Sequence, residues 1–467
     1  MNSPAEVREH PVEVGPKLPT PYVTYALAGI CVAVFVAMVV QGVSPTRPSV
    51  GQLRSWGATF APLTFGGQPW RLLTSIFLHV GVLHLVFNMW CLWDLGQLAE
   101  LVFGRAALAA LFLMSGVAGA LASAAWHPMV TGGGASGAIF GVAGALIAVF
   151  YLGHMAGQAA FKSTLRSLLG FAGYNLFFGA ISPHIDNAAH IGGLASGLLM
   201  GAALVWMRRR TPFPVSHSPF PEATSVKDGQ MWDTTTPVSV SGSPFPATTT
   251  GRRIEFTVFA AFALVLLLAG VFVAQRSQFA IHAQRGEAAL EANRPDVAIA
   301  ELKEALKAKP NYPYGHWLLA QAYLRRNDYA NAAEVLRKVV ERKPDFAEAR
   351  FRLGMALLMD SRLDEAEAQF TELQKRYPQD PNAFTGFGLL ATAKGDYEAA
   401  LQAYRRAAEL QPGSAEAQYN LGLAAMQAKQ YDEAVHAFER AVKLDPESER
   451  AKERLEQAKA SRDRVIR

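Results

Sequence analysis

Gly132-Gly-Gly-Ala-Ser136-Gly137-Ala-Ile-Phe140-Gly141 and the nine residues after it, Val142–Phe150, hold no charge, and Ser136 is their one polar side chain. A polar group in so apolar a run is costly in hydrocarbon and is by default a candidate for function. Ser136 follows a glycine run and opens a helix, so its hydroxyl lies near backbone N–H groups without intrahelical partners. Those donors, with the positive helix end, favour an alkoxide and the oxyanion it forms on attacking a carbonyl. A serine nucleophile also needs a base, and histidine is the obvious one.

Two other apolar stretches supply histidine. One reads His79-Val-Gly-Val-Leu-His84-Leu-Val-Phe-Asn88, the other Asp186-Asn-Ala-Ala-His190-Ile-Gly-Gly193-Leu-Ala-Ser-Gly197. His84 and Asn88 are four apart and share a helix face, whereas His79 on the same helix would point about 140° away. Gly137 and Gly141 on one helix, and Gly193, Gly197 and Gly201 on the other, form small-residue faces that let membrane helices meet backbone to backbone. His190 shares the face of Gly193 and Gly197, so close packing is expected to bring its imidazole to Ser136. His84 and Asn88 would add oxyanion donors. Three histidines could instead hold zinc, but there is no His-Glu-x-x-His and no acidic residue near the first two. No metal and no cofactor are therefore expected. Asp94 has no partner of the kind an aspartyl protease requires, and Asp186 with Asn187 reads as a helix cap.

Around these stretches the 467 residues divide sharply. The chain is 51% hydrophobic and 18% charged, with 44 Lys/Arg against 39 Asp/Glu. Soluble globular chains carry about 25% charged residues, so a wholly soluble protein is excluded. Two cysteines, Cys31 and Cys91, exclude a disulfide framework. Apolar runs able to cross about 30 Å of hydrocarbon are expected at 22–43, 79–99, 105–126, 135–153, 165–181, 187–207 and 255–275. Arg105, Lys162, Arg208–Arg210, Arg252 and Arg253 fall on one side of this series, which by the positive-inside rule places the N-terminus in the cytoplasm.

Residues 211–250 hold 7 Pro, 6 Ser and 8 Thr, with Pro-Phe-Pro at 212–214, 219–221 and 244–246. Such a composition buries too little apolar surface to offset ordering entropy, so a flexible cytoplasmic linker is expected. After the last apolar run Pro310, Pro344, Pro378, Pro412 and Pro446 stand 34 residues apart. Counted from 279, 313, 347, 381 and 415, position 8 is Gly286, Ala320, Gly354, Gly388 and Gly422. Position 20 is always Ala, and position 24 is Leu302, Leu336, Phe370, Tyr404 and Phe438. Small residues at 8 and 20 let two helices approach, the large residue at 24 fills the space between hairpins, and Pro ends the second helix. The array resembles five tetratricopeptide repeats with a polar capping helix.

The first half resembles the rhomboid intramembrane serine proteases. Gly134-Ala-Ser136-Gly137 is similar to the family's Gly-x-Ser-Gly. Ala189-His190 with Gly193 and Gly197 is similar to its Ala-His-x-x-Gly-x-x-x-Gly. His79, His84 and Asn88 match its polar series, Trp70-Arg71 its first outer loop, and Gly96, Glu100 and Gly104 its Gly-x-x-x-Glu-x-x-x-Gly. The resemblance implies a Ser136–His190 dyad without a third acidic member. It also implies an oxyanion hole of His84, Asn88 and the Ser136 N–H, and single-span membrane proteins as substrates. Phe140 stands where other members carry Tyr; it can stack on His190 but cannot donate a hydrogen bond. His79 reads as structural, and Trp70-Arg71 as an interfacial anchor.

The expected architecture is all-α: a polytopic membrane helix bundle of six spans plus a seventh, then a soluble α-solenoid. Its parts are a cytoplasmic tail at 1–21, the six-span domain at 22–207, the linker at 208–253 and the seventh span at 254–276. Repeats at 279–446 and a cap with tail at 447–467 complete the chain. The expected setting is a bacterial plasma membrane, with the repeats extracytoplasmic and binding a protein or peptide partner. Mixed charge on the repeats gives no nucleic-acid footprint. The competing reading is a proteolytically silent membrane scaffold.

Overall fold

A computed structural model describes residues 20–152, 159–182, 185–208 and 249–466, and all regular elements among them are helical. The Pro-Phe-Pro copies and most of both the N-terminal tail and the linker lie outside the described residues. The chain divides into two compact units, Met1–Ile281 and His282–Arg467.

The first unit opens with α1 (Tyr22–Val40). An outer loop follows, with α2 (Val50–Ser55), α3 (Ala61–Phe65), α4 (Arg71–Thr74) and a 3-10 turn at Ser75–Phe77. Then come α5 (Val82–Phe103), α6 (Arg105–Trp126), α7 (Ser136–Leu152), α8 (Ala159–Ile181), α9 (Asn187–Arg208) and α10 (Thr249–Arg276). Each of the seven apolar runs is thus a helix. Among the described residues four are long and apolar enough to cross a membrane alone: α1, α6, Asn187–Met207 of α9 and Arg252–Arg276 of α10. Residues Arg71–Phe77 and α5 together make a fifth, bent by 90°. The expected helix start at 79 moves to Val82, because Gly81 at φ 156, ψ 162 leaves the helical region.

The 17 described residues of α7, Ser136–Leu152, span about 25 Å at 1.5 Å per residue. Every residue from Gly137 to Phe150 is buried. A helix apolar all round belongs inside a bundle. Its seam with α9 is a run of glycines. A Cβ on Gly193 would strike the Gly137 carbonyl, one on Gly197 the Gly141 carbonyl, and one on Gly201 would lie 2.7 Å from Ala145 O. On the neighbouring seam with α6, a Cβ on Gly119 would come within 2.8 Å of Ala189 O.

The N-terminus of α1 is capped from another helix. Pro21 has no side-chain cap to offer, so buried Glu100 of α5 accepts hydrogen bonds from the backbone N–H groups of Val23 at 3.2 Å and Thr24 at 3.0 Å, and from Thr24 Oγ1 at 3.0 Å. A carboxylate suits the positive end of a helix. Gly96 lies one turn earlier, where a Cβ would be 2.7 Å from Thr24 Cγ2. α10 packs in the same unit, with Val273, Leu266 and Ala269 among Leu121 and Ala124 of α6.

The second unit stacks helical hairpins from α11 (Gln278–Glu291) and α12 (Pro295–Ala308), through α13 (Pro313–Arg325), α14 (Tyr329–Arg342), α15 (Ala347–Met359) and α16 (Leu363–Arg376). It continues with α17 (Pro381–Lys394), α18 (Tyr397–Leu410), α19 (Ala415–Gln427), α20 (Tyr431–Leu444) and the capping α21 (Glu449–Ile466). All five position-20 alanines are fully buried. The position-24 side chain packs first against the glycine of its own hairpin: a Cβ on Gly388 would be 2.7 Å from the Tyr404 ring, and one on Gly422 2.7 Å from Phe438. Phe370 also abuts Gly386 of the next repeat, so filling between hairpins is its second task. A further 34-residue period appears in the turns. Asn293, Asn327, Ser361, Gly395 and Lys429 all have φ between 53° and 78°. Each ends a first helix in the left-handed conformation, and the next N–H reaches back five residues, as from Asp328 N to Tyr323 O at 2.9 Å.

Candidate active site

The segment preceding Ser136 is stitched to the first outer loop. Thr59 N–H donates to Gly132 O at 2.9 Å, Gly132 N–H to Thr59 O at 2.8 Å, and Gly134 N–H to Ser75 O at 2.9 Å. Arg54 Nε donates to Thr131 Oγ1 at 2.8 Å. Arg71 holds that outer loop from within. Buried, its guanidinium donates to Arg54 O at 2.6 Å, Ala58 O at 3.0 Å and Gln68 Oε1 at 2.7 Å. It is therefore an internal clamp rather than the interfacial anchor expected of it, since the loop's backbone carbonyls need a donor. Trp70 remains half exposed, with its ring 4.7 Å from the Arg71 guanidinium carbon.

Gly134 brings His84 to this segment. Its φ of 146° suits glycine alone, and a Cβ there would be 2.7 Å from His84 Cε1. Asn88 is buried one turn along α5, and its amide donates to His84 O at 2.8 Å, leaving a second N–H on the same nitrogen. His79, expected to face away, lies with its ring centre 5.4 Å from that of His84. The reason is local: His79 precedes the helix, so helical angles do not govern its direction. It is fully buried, with Nδ1 3.3 Å from Phe77 O.

Gly137 and Ala189 meet across the α7–α9 seam. A Cβ on Gly137 would lie 3.2 Å from Ala189 O, so the residues that follow Ser136 and precede His190 touch through backbone. The His190 ring is stacked on Phe140, centres 4.3 Å apart and planes 10° apart. Phe171 of α8 supports Phe140 at 5.4 Å. His190 Nδ1 is buried without a hydrogen-bond partner, and among the described residues no hydrogen bond joins the ring to Ser136. Catalytic hydrogen bonds are often long in unliganded sites and tighten on binding.

Two contacts were not foreseen from sequence. Asp186 caps α9, accepting from Ala189 N–H at 3.0 Å, and its other oxygen accepts from Ser123 Oγ of α6 at 2.5 Å. Asn187 donates to Leu176 O of α8 at 2.9 Å. Only the cap had a sequence signal; the cross-helix bonds had none. No group of three His, Cys, Asp or Glu among the described residues is placed to hold a metal ion.

The model of the Rhomboid domain matches residues 66–207. Residues 66–207 are a rhomboid domain. Tetratricopeptide repeat models match 283–345, 318–381 and 385–449. The rhomboid protease GluP of Bacillus subtilis is 35% identical over 185 residues, covering 39% of this chain and 35% of that protein. The mitochondrial RHOMBOID-like protein 6 of Arabidopsis thaliana is 35% identical over 162 residues, covering 34% of this chain and 51% of that protein. The chain thus spans between about a third and a half of the length of these relatives. Among solved structures, the repeats are similar to a tetratricopeptide protein of Thermus thermophilus at 20% identity and TM-score 0.34, covering 38% of this chain and 98% of that one. With its rhomboid domain and its apolar helices, the chain is an integral membrane protein.

Proposed function

We propose that the chain is an intramembrane serine endopeptidase that cleaves membrane-protein substrates in or near their spans. Ser136 Oγ attacks the scissile carbonyl while His190 takes its proton. The oxyanion is met by the Ser136 N–H, by His84 and by the free N–H of Asn88. Collapse of the tetrahedral intermediate expels the amine, which takes the proton from the His190 imidazolium. Water, deprotonated by His190, then hydrolyses the acyl-enzyme and frees Ser136. Each oxyanion donor of this kind is worth about 10²–10³ in rate.

The observation that carries this reading is the glycine seam that seats Gly137 against Ala189, next to both partners of the dyad. The stack on Phe140 fixes the imidazole plane without a hydrogen bond to it. Replacing Ser136 by Ala should abolish cleavage of a single-span reporter at unchanged membrane level. Undiminished cleavage would refute the assignment, and a wild-type chain that cleaves no membrane substrate would leave the silent scaffold as the better reading.

The repeats serve protein interaction, recruiting substrates or partners to the protease. We place the N-terminus and linker in the cytoplasm and the repeats outside a bacterial plasma membrane. The charge-free interior of α10, Phe256 to Gln275, is long enough to cross. Added protease should digest the repeats in spheroplasts and spare them in inverted vesicles.

A further inference from the structure

Asp186 does more than a helix cap requires. One oxygen accepts from Ala189 N–H at 3.0 Å and the other from Ser123 Oγ at 2.5 Å. Both contacts donate to the carboxylate, which is how an ionised, acceptor-only group is held, and the shorter is in the range of a charge-assisted O–H···O⁻ bond. The position is the positive end of α9, where a negative charge is favoured. Asp186 is the residue just before α9, and His190 N–H donates to its backbone carbonyl at 3.2 Å, so Asp186 lies one turn before His190. The Ala189 peptide links the two: its N–H is capped by Asp186 and its carbonyl packs on Gly137.

We propose that Asp186 is a positioning residue of the reaction, its fixed carboxylate supplying the negative charge that stabilises His190 as it becomes imidazolium. The proposal rests on the Ser136–His190 reading. The charge acts through space and takes no proton; the proton of Ser136 passes to His190 and on to the leaving amine, as before. Across about one turn of helix, ~5.4 Å, with an effective dielectric constant near 20, one charge weighs well over tenfold on an equilibrium or a rate. The other ionisable groups around His190 are few. From α5 comes His84, with His79 beside it. His127 ends α6 one turn after Ser123, and Arg54 of the outer loop binds Thr131 next to Gly132. Among its described residues α7 contributes only Tyr151, fourteen residues beyond Gly137; α8 carries exposed Tyr174, and its cations, Lys162 and Arg166, stand at its other end. His184 stands two residues before Asp186 in the sequence.

The test is cleavage of a purified single-span reporter by the full-length protein in detergent, followed from pH 5 to 9 alongside thermal unfolding. Asp186→Asn keeps an acceptor for Ala189 N–H and a donor for Ser123 while removing the charge. It should unfold near the wild-type temperature, turn over about tenfold slower or worse, and show the acid limb of its rate profile moved to lower pH by about one unit. Ser123→Ala keeps the charge and breaks the contact between helices, so it should leave that limb in place. Asp186→Ser, a second uncharged cap, should behave like Asp186→Asn. An unmoved acid limb in either uncharged variant overturns the proposal, as does an equal movement in Ser123→Ala. Failure of both uncharged variants to accumulate in membranes overturns it too, because Asp186 would then be needed for folding. Cleavage surviving in Ser136→Ala, by contrast, would sink the dyad itself.

Discussion

In the rhomboid domain Gly137, Gly193, Gly197 and Gly201 of the α7–α9 seam look onto the backbone of the facing helix, whereas in the repeats the glycines at position 8 look onto side chains. A Cβ on Gly197 would strike the Gly141 carbonyl; one on Gly422 would lie 2.7 Å from the edge of the Phe438 ring. Rings and leucine tips can swing aside, but a helix backbone moves only if the whole helix moves. One repeat already makes the exchange, with Ala320 at position 8 facing buried Leu336. The two units therefore spend small residues differently. The bundle uses them to bring separate helices together in lipid, where no hydrophobic force drives helices into contact. The solenoid uses them to seat a large residue in a water-driven core.

The largest expected effect comes from breaking that difference. Gly197→Ala should separate α7 from α9 and abolish reporter cleavage, even though the residue lies two turns beyond His190. Gly422→Ala should cost the fragment His282–Arg467 about 1–3 kcal/mol, the usual range for overpacking, read as a lower urea midpoint with an unchanged slope. Full activity in Gly197→Ala, or complete unfolding in Gly422→Ala, would erase the distinction.

A smaller effect separates two repeats by pH. His316 and Arg350 both stand at position 4, buried, and both reach back to the carbonyl of the proline that closes the preceding repeat. His316 Nε2 lies 2.9 Å from Pro310 O, and Arg350 Nη2 donates to Pro344 O at 3.3 Å. Burial holds the His316 imidazole below its ordinary pKa, and the nearby Arg342 and Lys338 add to this. The unfolded chain then takes up a proton that the folded chain resists. Stability from this group is complete above the ordinary histidine value of about 6.5 and is lost as pH falls below it. Urea midpoints of His282–Arg467 should drop between pH 7.5 and 5.5, and His316→Gln should flatten part of that slope. An identical slope in the variant would remove His316 as its source.

Much of this was readable in the sequence because it is periodic. Prolines and alanines repeating every 34 residues specify hairpins, and Gly137/Gly141 against Gly193/Gly197 specify a close seam. What escaped reading has no period. The Ser123–Asp186 bond joins residues 63 apart, and Glu100 caps a helix 76 residues away. Arg71 looked like a surface anchor because only the folded loop reveals the carbonyls it serves. His79 was misdirected for a different reason: helical geometry was extended three residues too early, past Gly81, whose backbone does not continue the helix.

The smallest predicted effect concerns a period that residue identity partly hides. Asn293, Asn327 and Gly395 are common choices for a left-handed helix end, but Ser361 and Lys429 occupy the same turn at φ 63° and 61°. Left-handed backbone costs a side-chain-bearing residue roughly 1–2 kcal/mol, and glycine gives part of that back through its freedom when unfolded. Lys429→Gly should therefore stabilise His282–Arg467 by about 0.5–1 kcal/mol, and Gly395→Lys should destabilise it by a similar amount, both read as shifts of the urea midpoint. The corresponding exchange in the rhomboid domain is not available. Gly134→Ala would meet an unfavourable φ and the His84 ring together, and should cost cleavage rather than a fraction of stability. A Lys429→Gly fragment no more stable than its parent would mean that the fifth repeat's turn relaxes at no cost. The repeats would then be more forgiving in their turns, as well as in their cores, than the glycine seam that holds Ser136 near His190.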